Sequence, residues 1–293
     1  MFTLAHLSDP HLAPLPQPRW SELIGKRVTG YLNWQRSRRF VHDAGVLAKI
    51  VADLKAQKPD HIAVTGDLAN IALPGEFLHG RDWLERLGAA EDVSLVPGNH
   101  DAYVRDGMTY AIRQLGAFMS GDHGKTAFPY LRRRGPLALI GLSSAVPTAP
   151  FLATGWLGAA QAAALAEMLD TAKAEKLFRV VMIHHPPVSQ ARRHKLLLDA
   201  DIFKRVIAAR GAELVLHGHD HRPMLNWLDG PNGTRVAAAG VPSASAAPGT
   251  SHDATAYNLY RIDGAPGAWT CEVIARGMDA TGAVVEQQRM MLS

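Results

Sequence analysis

The chain has 293 residues, of which 47% are hydrophobic and 20% charged, with a formal charge of +4. That length can bury a large core in one or two domains, and the balance excludes a disordered or collagen-like chain. No run of about 20 apolar residues is present, which argues against a membrane span, and the single cysteine, Cys271, excludes an internal disulfide or a cysteine-based metal site.

Read from the N-terminus, residues 1–9 lack the basic stretch and apolar run of a signal peptide, and Phe2–Leu7 reads as a first strand. Further strands are expected at His61–Thr65, Val93–Val96, Leu137–Leu142, Arg179–Ile183, Leu214–Leu216, Val236–Ala239 and Ala256–Ile262. Each is short, rich in Val, Leu, Ile or Ala, and followed by Gly, Pro, Ser or Asn. Between them Asp43–Gln57, Glu76–Leu87, Leu157–Lys176 and Ala200–Ala209 carry apolar residues at helical spacing, the last with Asp199 as cap and Gly211 as stop. Alternating strands and helices predict an α/β fold, and continuous apolar strands predict sheets covered on both faces. From residue 222 the pattern holds strands and turns but no helix, so 222–293 should complete the sheets of a single domain, 1–293.

The informative polar residues follow strands directly: Asp9-Pro-His11, Gly66-Asp67, Gly98-Asn99-His100-Asp101, His184-His185 and His217-Gly-His219-Asp-His221. Ligands of open α/β sheets bind at the carboxyl ends of the strands, where five such ends would meet. Carboxylate oxygen, imidazole nitrogen and amide oxygen suit Mn, Fe, Zn, Co or Ni. Asp-x-His and His-x-His put two side chains on one side of an extended segment, and the glycines permit close backbone approach.

In this order the blocks resemble those of the calcineurin-like metallophosphoesterase superfamily, over residues 9 to 221. His-His-Pro-Pro with Gly-His-Asp-His is most similar to its bacterial cyclic-nucleotide and glycerophosphodiester phosphodiesterase branch. The resemblance implies a four-layer double β-sandwich flanked by helices, and a binuclear centre. In that centre Asp9, His11 and His221 would hold one metal, Asn99, His184 and His219 the second, and Asp67 would bridge them. It favours His184 over His185. A hydroxide shared by the metals is the expected nucleophile on phosphorus. His100 is expected to stabilise the transition state or protonate the leaving oxygen, its cationic form favoured by the adjacent carboxylate. Asp101 then either orients His100 or fixes the loop.

Substrate choice must come from loops. Residues 12–40, a candidate lid, combine Trp20, Leu23, Ile24, Val28, Tyr31, Leu32 and Trp34 with Arg19, Lys26, Arg27, Arg36, Arg38 and Arg39. The segment reads either as a packed helical hairpin or as a lid meeting a lipid surface, with Arg36, Arg38 and Arg39 binding substrate phosphates. It is also similar to the corresponding stretch of lipid-A-pathway UDP-diacylglucosamine hydrolases. Arg132–Arg134 and Arg192, Arg193 and Lys195 form two further basic clusters. The leading expectation is a cytoplasmic phosphodiesterase with two Mn, Fe, Zn or Co ions. The alternatives are a pyrophosphohydrolase peripheral to the inner membrane face, on an anionic surface, and a non-catalytic metal-binding scaffold. A homodimer fits the family. No motif predicts specific nucleic-acid binding.

Overall fold

The computed structural model describes residues 1–250 and 252–293. Its strands are β1 (Phe2–Leu7), β2 (His61–Val64), β3 (Val93–Leu95), β4 (Tyr130–Arg134), β5 (Leu137–Gly141) and β6 (Phe178–Met182), then β7 (Leu214–His217), β8 (Met224–Asp229), β9 (Arg235–Gly240), β10 (Ala256–Ala265), β11 (Ala268–Met278) and β12 (Val284–Met291). The helices are α1 (Lys26–Arg36), α2 (Ala44–Ala56), α3 (Pro74–Leu87), α4 (Gly107–Leu115), α5 (Ala159–Ala174) and α6 (Ala200–Arg210). They flank two six-stranded sheets, ordered β12-β11-β10-β1-β2-β3 and β4-β5-β6-β7-β9-β8. β1, β2 and β3 run parallel, as do β5, β6, β7 and β9, so each of these strands after the first is reached by a crossover.

The apolar strands follow from two buried faces. In β6, Val180 and Met182 point into the core shared by the sheets, while Val181, with Ile183 just beyond the strand, packs outward under α5 and α6. β5, β7 and β9 divide likewise: Leu139, Leu216 and Ala237 face inward, and Ile140, Val215 and Ala238 face Leu165, Leu169, Phe203 and Ile207. Side-chain period two with both faces covered leaves no polar alternation to see.

Residues 224–240 enter the second sheet and 256–291 the first. One local expectation changes. Asp199 does not cap α6; its carboxylate accepts from Leu157 N (2.9 Å) and Gly158 N (2.7 Å), tying the start of α5 to the start of α6. Gly211 does end α6, with φ +72°. Asp43 caps α2 by accepting from Val46 N at 2.8 Å.

Residues 12–40 do not form a helical hairpin. They hold one helix, α1, between single turns at Trp20–Glu22 and Arg38–Phe40. α1 is fastened from beneath by buried Arg27, which donates to Ile71 O and Ala72 O, and by Trp34. Lys26 fastens its start by donating to Thr148 Oγ1 (2.8 Å) and Leu152 O (3.2 Å). No helix among the described residues is long and apolar enough to cross a membrane.

Candidate metal centre

The five polar turns lie at the carboxyl ends of β1, β2, β3, β6 and β7 and are laced together by backbone bonds. Asp9 N donates to Gly66 O, His11 N to Asp67 O, and Gly218 N to His184 O, each at 3.0 Å. His219 N donates to Asp9 Oδ2 at 3.0 Å, which joins the turns of the two sheets. Glycine is required at two points of this lacing. A methyl at Gly98 would overlap the Asp67 carboxylate and backbone nitrogen, and one at Gly218 would overlap Ser8 Oγ and the Asp9 carboxylate.

Three groups of side chains result whose ligand atoms lie within 4.8 Å of one another: Asp9, His11 and His221; His11, Asp67 and His100; and Asp67, His184 and His219. Asp67 belongs to two of them, its Oδ2 being 3.8 Å from His11 Nε2 and 3.4 Å from His184 Nε2. Asn99 completes the last group, with Oδ1 2.8 Å from His219 Nδ1 and 3.2 Å from His184 Nε2. His221 Nε2 is 3.1 Å from Asp9 Oδ1.

Three features make these residues fit a pair of cations. First, a carbonyl can only accept, so a ring nitrogen bonded to one carries the proton. Such bonds join His11 Nδ1 to Ala69 O (3.1 Å), His184 Nδ1 to Thr65 O (2.6 Å) and His219 Nε2 to Lys195 O (2.8 Å). Each leaves the opposite nitrogen facing the cluster, as metal-binding histidines are held. His185 differs: Nδ1 meets Ser144 Oγ at 2.7 Å and Nε2 meets Ala153 O at 3.2 Å, so neither nitrogen faces the cluster. Second, Asp9, His11, Asp67, His219 and His221 all have positive φ, between 36° and 70°. Such backbone costs about 1 kcal/mol or more per residue and gathers at functional sites. Third, the donor set is nitrogen and oxygen throughout, suited to first-row divalent ions.

The electrostatics are of closely packed, buried charge. Burial pushes the Asp9 carboxyl up, but His221 and His184 outweigh it and hold it well below the usual range. Burial lowers His184, yet Asp67 and then Asp9 overcome this and bring it to about 10. His11 and His219 are held well below the usual imidazole value, chiefly by burial.

Of the two roles open to Asp101, its hydrogen bonds are those of loop fixing, and His100 is oriented by another residue. The Asp101 carboxylate does not reach the His100 ring. It accepts three backbone N–H groups, from Asp67 and Gly98 at Oδ2 and Ala69 at Oδ1, each at 2.9 Å, and so fixes the loop. Burial, with the Asp67 charge, pushes its carboxyl up to about 7 against the pull of those donors. The His100 ring is oriented instead by Asn70 O, which accepts from Nδ1 at 2.5 Å, and its backbone N donates to Asp67 Oδ1 at 2.7 Å. Burial and then Arg38 lower His100 to about 3, so the cationic form expected from its sequence neighbour is not favoured.

Of Arg36, Arg38 and Arg39, the structure brings one to the cluster. Arg38 Nη2 is 3.0 Å from both ring nitrogens of His11, and Nη1 is 3.0 and 2.8 Å from Nδ1 and Nε2 of His100. An atom equally close to both nitrogens of an imidazole lies over the ring, because Cε1 blocks such an approach in the plane. Arg36 lines a neighbouring cavity. Arg39 turns away, donating to Gln35 Oε1 (3.0 Å) and stacking on Phe40. Two histidines that sequence spacing did not single out join the site: His252 Nδ1 lies 3.2 Å from His221 Nδ1, and the His42 ring centre lies 4.4 Å from that of His11.

The cluster forms the floor of a cavity of about 470 Å³, lined also by Arg38, His42, Lys195 and His252. Sharing Asn99, His100 and Lys195 with it is a more apolar cavity of about 490 Å³ with Lys26, Leu32, Tyr103, Phe151 and Leu152. Sharing Lys195, Asp220 and Arg222 with it is a groove of about 560 Å³ reaching Arg192 and Met224.

In fold the chain is similar to a dimetal phosphatase from Danio rerio, at 13% identity and TM-score 0.64, covering 100% of this chain and 98% of that one. It is also similar to purple acid phosphatase PPD1 from yellow lupin seeds (12%, TM-score 0.61, 99% of this chain and 53% of that) and to GAP50 of Plasmodium (13%, TM-score 0.53, 99% and 87%). The chain thus spans about half of the lupin enzyme. No curated protein matches the sequence. Residues 2–223, which carry every strand-end motif of the cluster, match the calcineurin-like phosphoesterase family, and the chain belongs to that family.

Proposed function

We propose that the chain is a two-metal hydrolase of phosphoric esters, acting on diesters. One cation would be held by Asp9, His11 and His221, the other by Asn99, His184 and His219, with Asp67 between them. Mn, Fe, Zn or Co all suit these donors. Two such ions supply positive charge and an acidified water close to the phosphate. The residues supply the rest. Asp67, common to two of the ligand groups, would be shared by the pair. Arg38, over His11 and His100, is placed to hold phosphate oxygens. His100 Nε2 points away from Asn70 toward the same space, and a bound phosphate anion opposes the effect of Arg38 on its proton, so it can serve the leaving oxygen.

The observation that supports a diester is that two separate cavities adjoin the one over the cluster. A monoester needs room for one substituent at phosphorus; a diester needs room for two. With Mn present, a bis-aryl phosphate should be cleaved much faster than a mono-aryl phosphate, and Asp67→Ala should lose turnover and bound metal together. Equal rates on the two esters, or an active, metal-replete Asp67→Ala, would refute the reading.

A second reading, a pyrophosphohydrolase of the UDP-diacylglucosamine type at a membrane surface, is favoured by the exposed Trp20 (90%), Phe151 (85%) and Ile24 (71%) on and opposite the lid. Binding to anionic vesicles, with cleavage of a UDP-linked acyl sugar but no simple diester, would decide for it. Bound metals without any phosphoester turnover would leave a scaffold.

A further inference from the structure

The groove beyond Lys195 carries positive charge for which the fold has no use. Arg192, Lys195 and Arg222 converge on it, and none of the three has a carboxylate partner among the described residues. One carboxylate, Asp220, also lines it, and that is engaged: Ser189 Oγ donates to Asp220 Oδ2 at 2.6 Å. Three cations against one anion leave a net +2 in a concave surface whose floor includes Val188, Met224 and Leu225. Low-dielectric walls strengthen such a field.

The other cluster of consecutive arginines shows what structural arginines look like in this protein. Arg132 donates to the carbonyls of Ala90, Val93, Ala117 and Ser120. Arg133 pairs with Glu175 and Arg134 with Asp122. All three are consumed by the fold, whereas those of the groove are not.

The groove is also fixed relative to the candidate metal centre. Lys195, Asp220 and Arg222 line both cavities. The Lys195 carbonyl accepts from His219 Nε2 at 2.8 Å, and Arg222 directly follows His221. An anion among these cations would therefore sit one substituent away from a phosphate at the cluster.

We propose that this groove is an anion subsite, which takes a second phosphate carried by one arm of the diester substrate, through Arg192, Lys195 and Arg222. The proposal rests on the phosphoester reading for the location of the scissile phosphate. Arginine supplies paired donors matched to phosphate oxygens, and charge-assisted bonds of this kind discriminate strongly between charged and neutral arms.

The test uses two aryl phosphodiesters with the same leaving group, one with a neutral 2-hydroxyethyl arm and one with a 2-phosphoethyl arm. The metal-loaded wild type should prefer the charged arm by at least tenfold in kcat/KM. Arg192→Ala/Arg222→Ala should lose that preference to within about twofold and keep its rate on the neutral arm, which reports on the catalytic centre alone. A wild type with no preference, or a double variant that retains it, overturns the subsite. Binding of inorganic pyrophosphate to the metal-free protein by calorimetry gives a reading without turnover. It should weaken at least tenfold in the double variant, and unchanged binding overturns the proposal. If neither ester is cleaved, the catalytic reading fails while calorimetry still judges the subsite.

Discussion

Replacement of Asp101 separates a scaffold role from a catalytic one. Its side chain is buried and accepts N–H groups from Asp67, Ala69 and Gly98, which belong to two of the turns that carry the cluster. In Asp101→Ala these three donors lose their acceptor in a site closed to water, at about 1–3 kcal/mol each. Part of that is offset, because burial disfavours the charged carboxylate in the wild type. A net loss of about 2–4 kcal/mol is expected, which for a chain of this size lowers the melting temperature by roughly 5–10 °C. Asp101→Asn keeps one oxygen, able to serve two of the donors, and sets an amide against the third, so it should fall between. Urea unfolding of the metal-free proteins gives the stabilities, and elemental analysis after loading gives the metal content. Asp101→Ala should lose both together. A variant within about 0.5 kcal/mol of wild type, fully loaded with metal and slowed only in turnover, would refute this account and return Asp101 to the role of orienting His100.

His100→Asn should keep both metals and slow esters with alkyl leaving groups by about 100-fold, with a much smaller effect on p-nitrophenyl esters; equal slowing of both kinds would remove the proton from its role. Gly98→Ala forces a methyl into the Asp67 carboxylate, so metal content and turnover should fall together, and normal values for both would contradict the close approach. Away from the site, Asp53 accepts from Arg276 Nε (2.7 Å) and Nη2 (2.8 Å) and from the Tyr257 hydroxyl (2.6 Å), joining α2 to the C-terminal strands. Burial raises its pKa, but the Arg276 bonds outweigh this and leave it below 3.8. A lowered folded pKa means that the ionised pair stabilises fully above the unfolded value near 3.8, and that this is lost as pH falls through the folded value. Asp53→Asn should therefore cost about 1–2 kcal/mol at pH 7, with the difference from wild type closing in acid; a gap independent of pH would show that the charge is not what matters.

The strands bearing the polar turns were legible because both their faces are buried, and so were the motifs, because glycine and left-handed backbone hold them in short, fixed spacings. β4 was not legible. Its sequence, Tyr-Leu-Arg-Arg-Arg, reads as a charged surface, while the structure buries Arg132 among main-chain carbonyls. Asp199 looked like a helix cap from its neighbours alone, and its partners at 157–158 lie some 40 residues away. The same limit hid His42 and His252, which reach His11 and His221 only through the packing of α2 and the loop before β10. Nothing in the spacing distinguishes Arg38 from Arg36 or Arg39; the turn at 38–40 does so by its direction.

The first sheet imposes an order on how a nascent chain can acquire its chemistry. β1 is made long before its neighbour on one side, β10, with Phe2 beside Ile262, and Asp9 is braced by Ser243 Oγ donating to its carbonyl at 2.7 Å. Until Ser243 and β10 emerge, β1 keeps one edge unpaired and the Asp9 turn lacks its prop. Pairings of such long range close slowly and leave an open strand edge in the meantime. Early translation products should therefore be inert and prone to self-association, with hydrolytic competence arriving late and all at once.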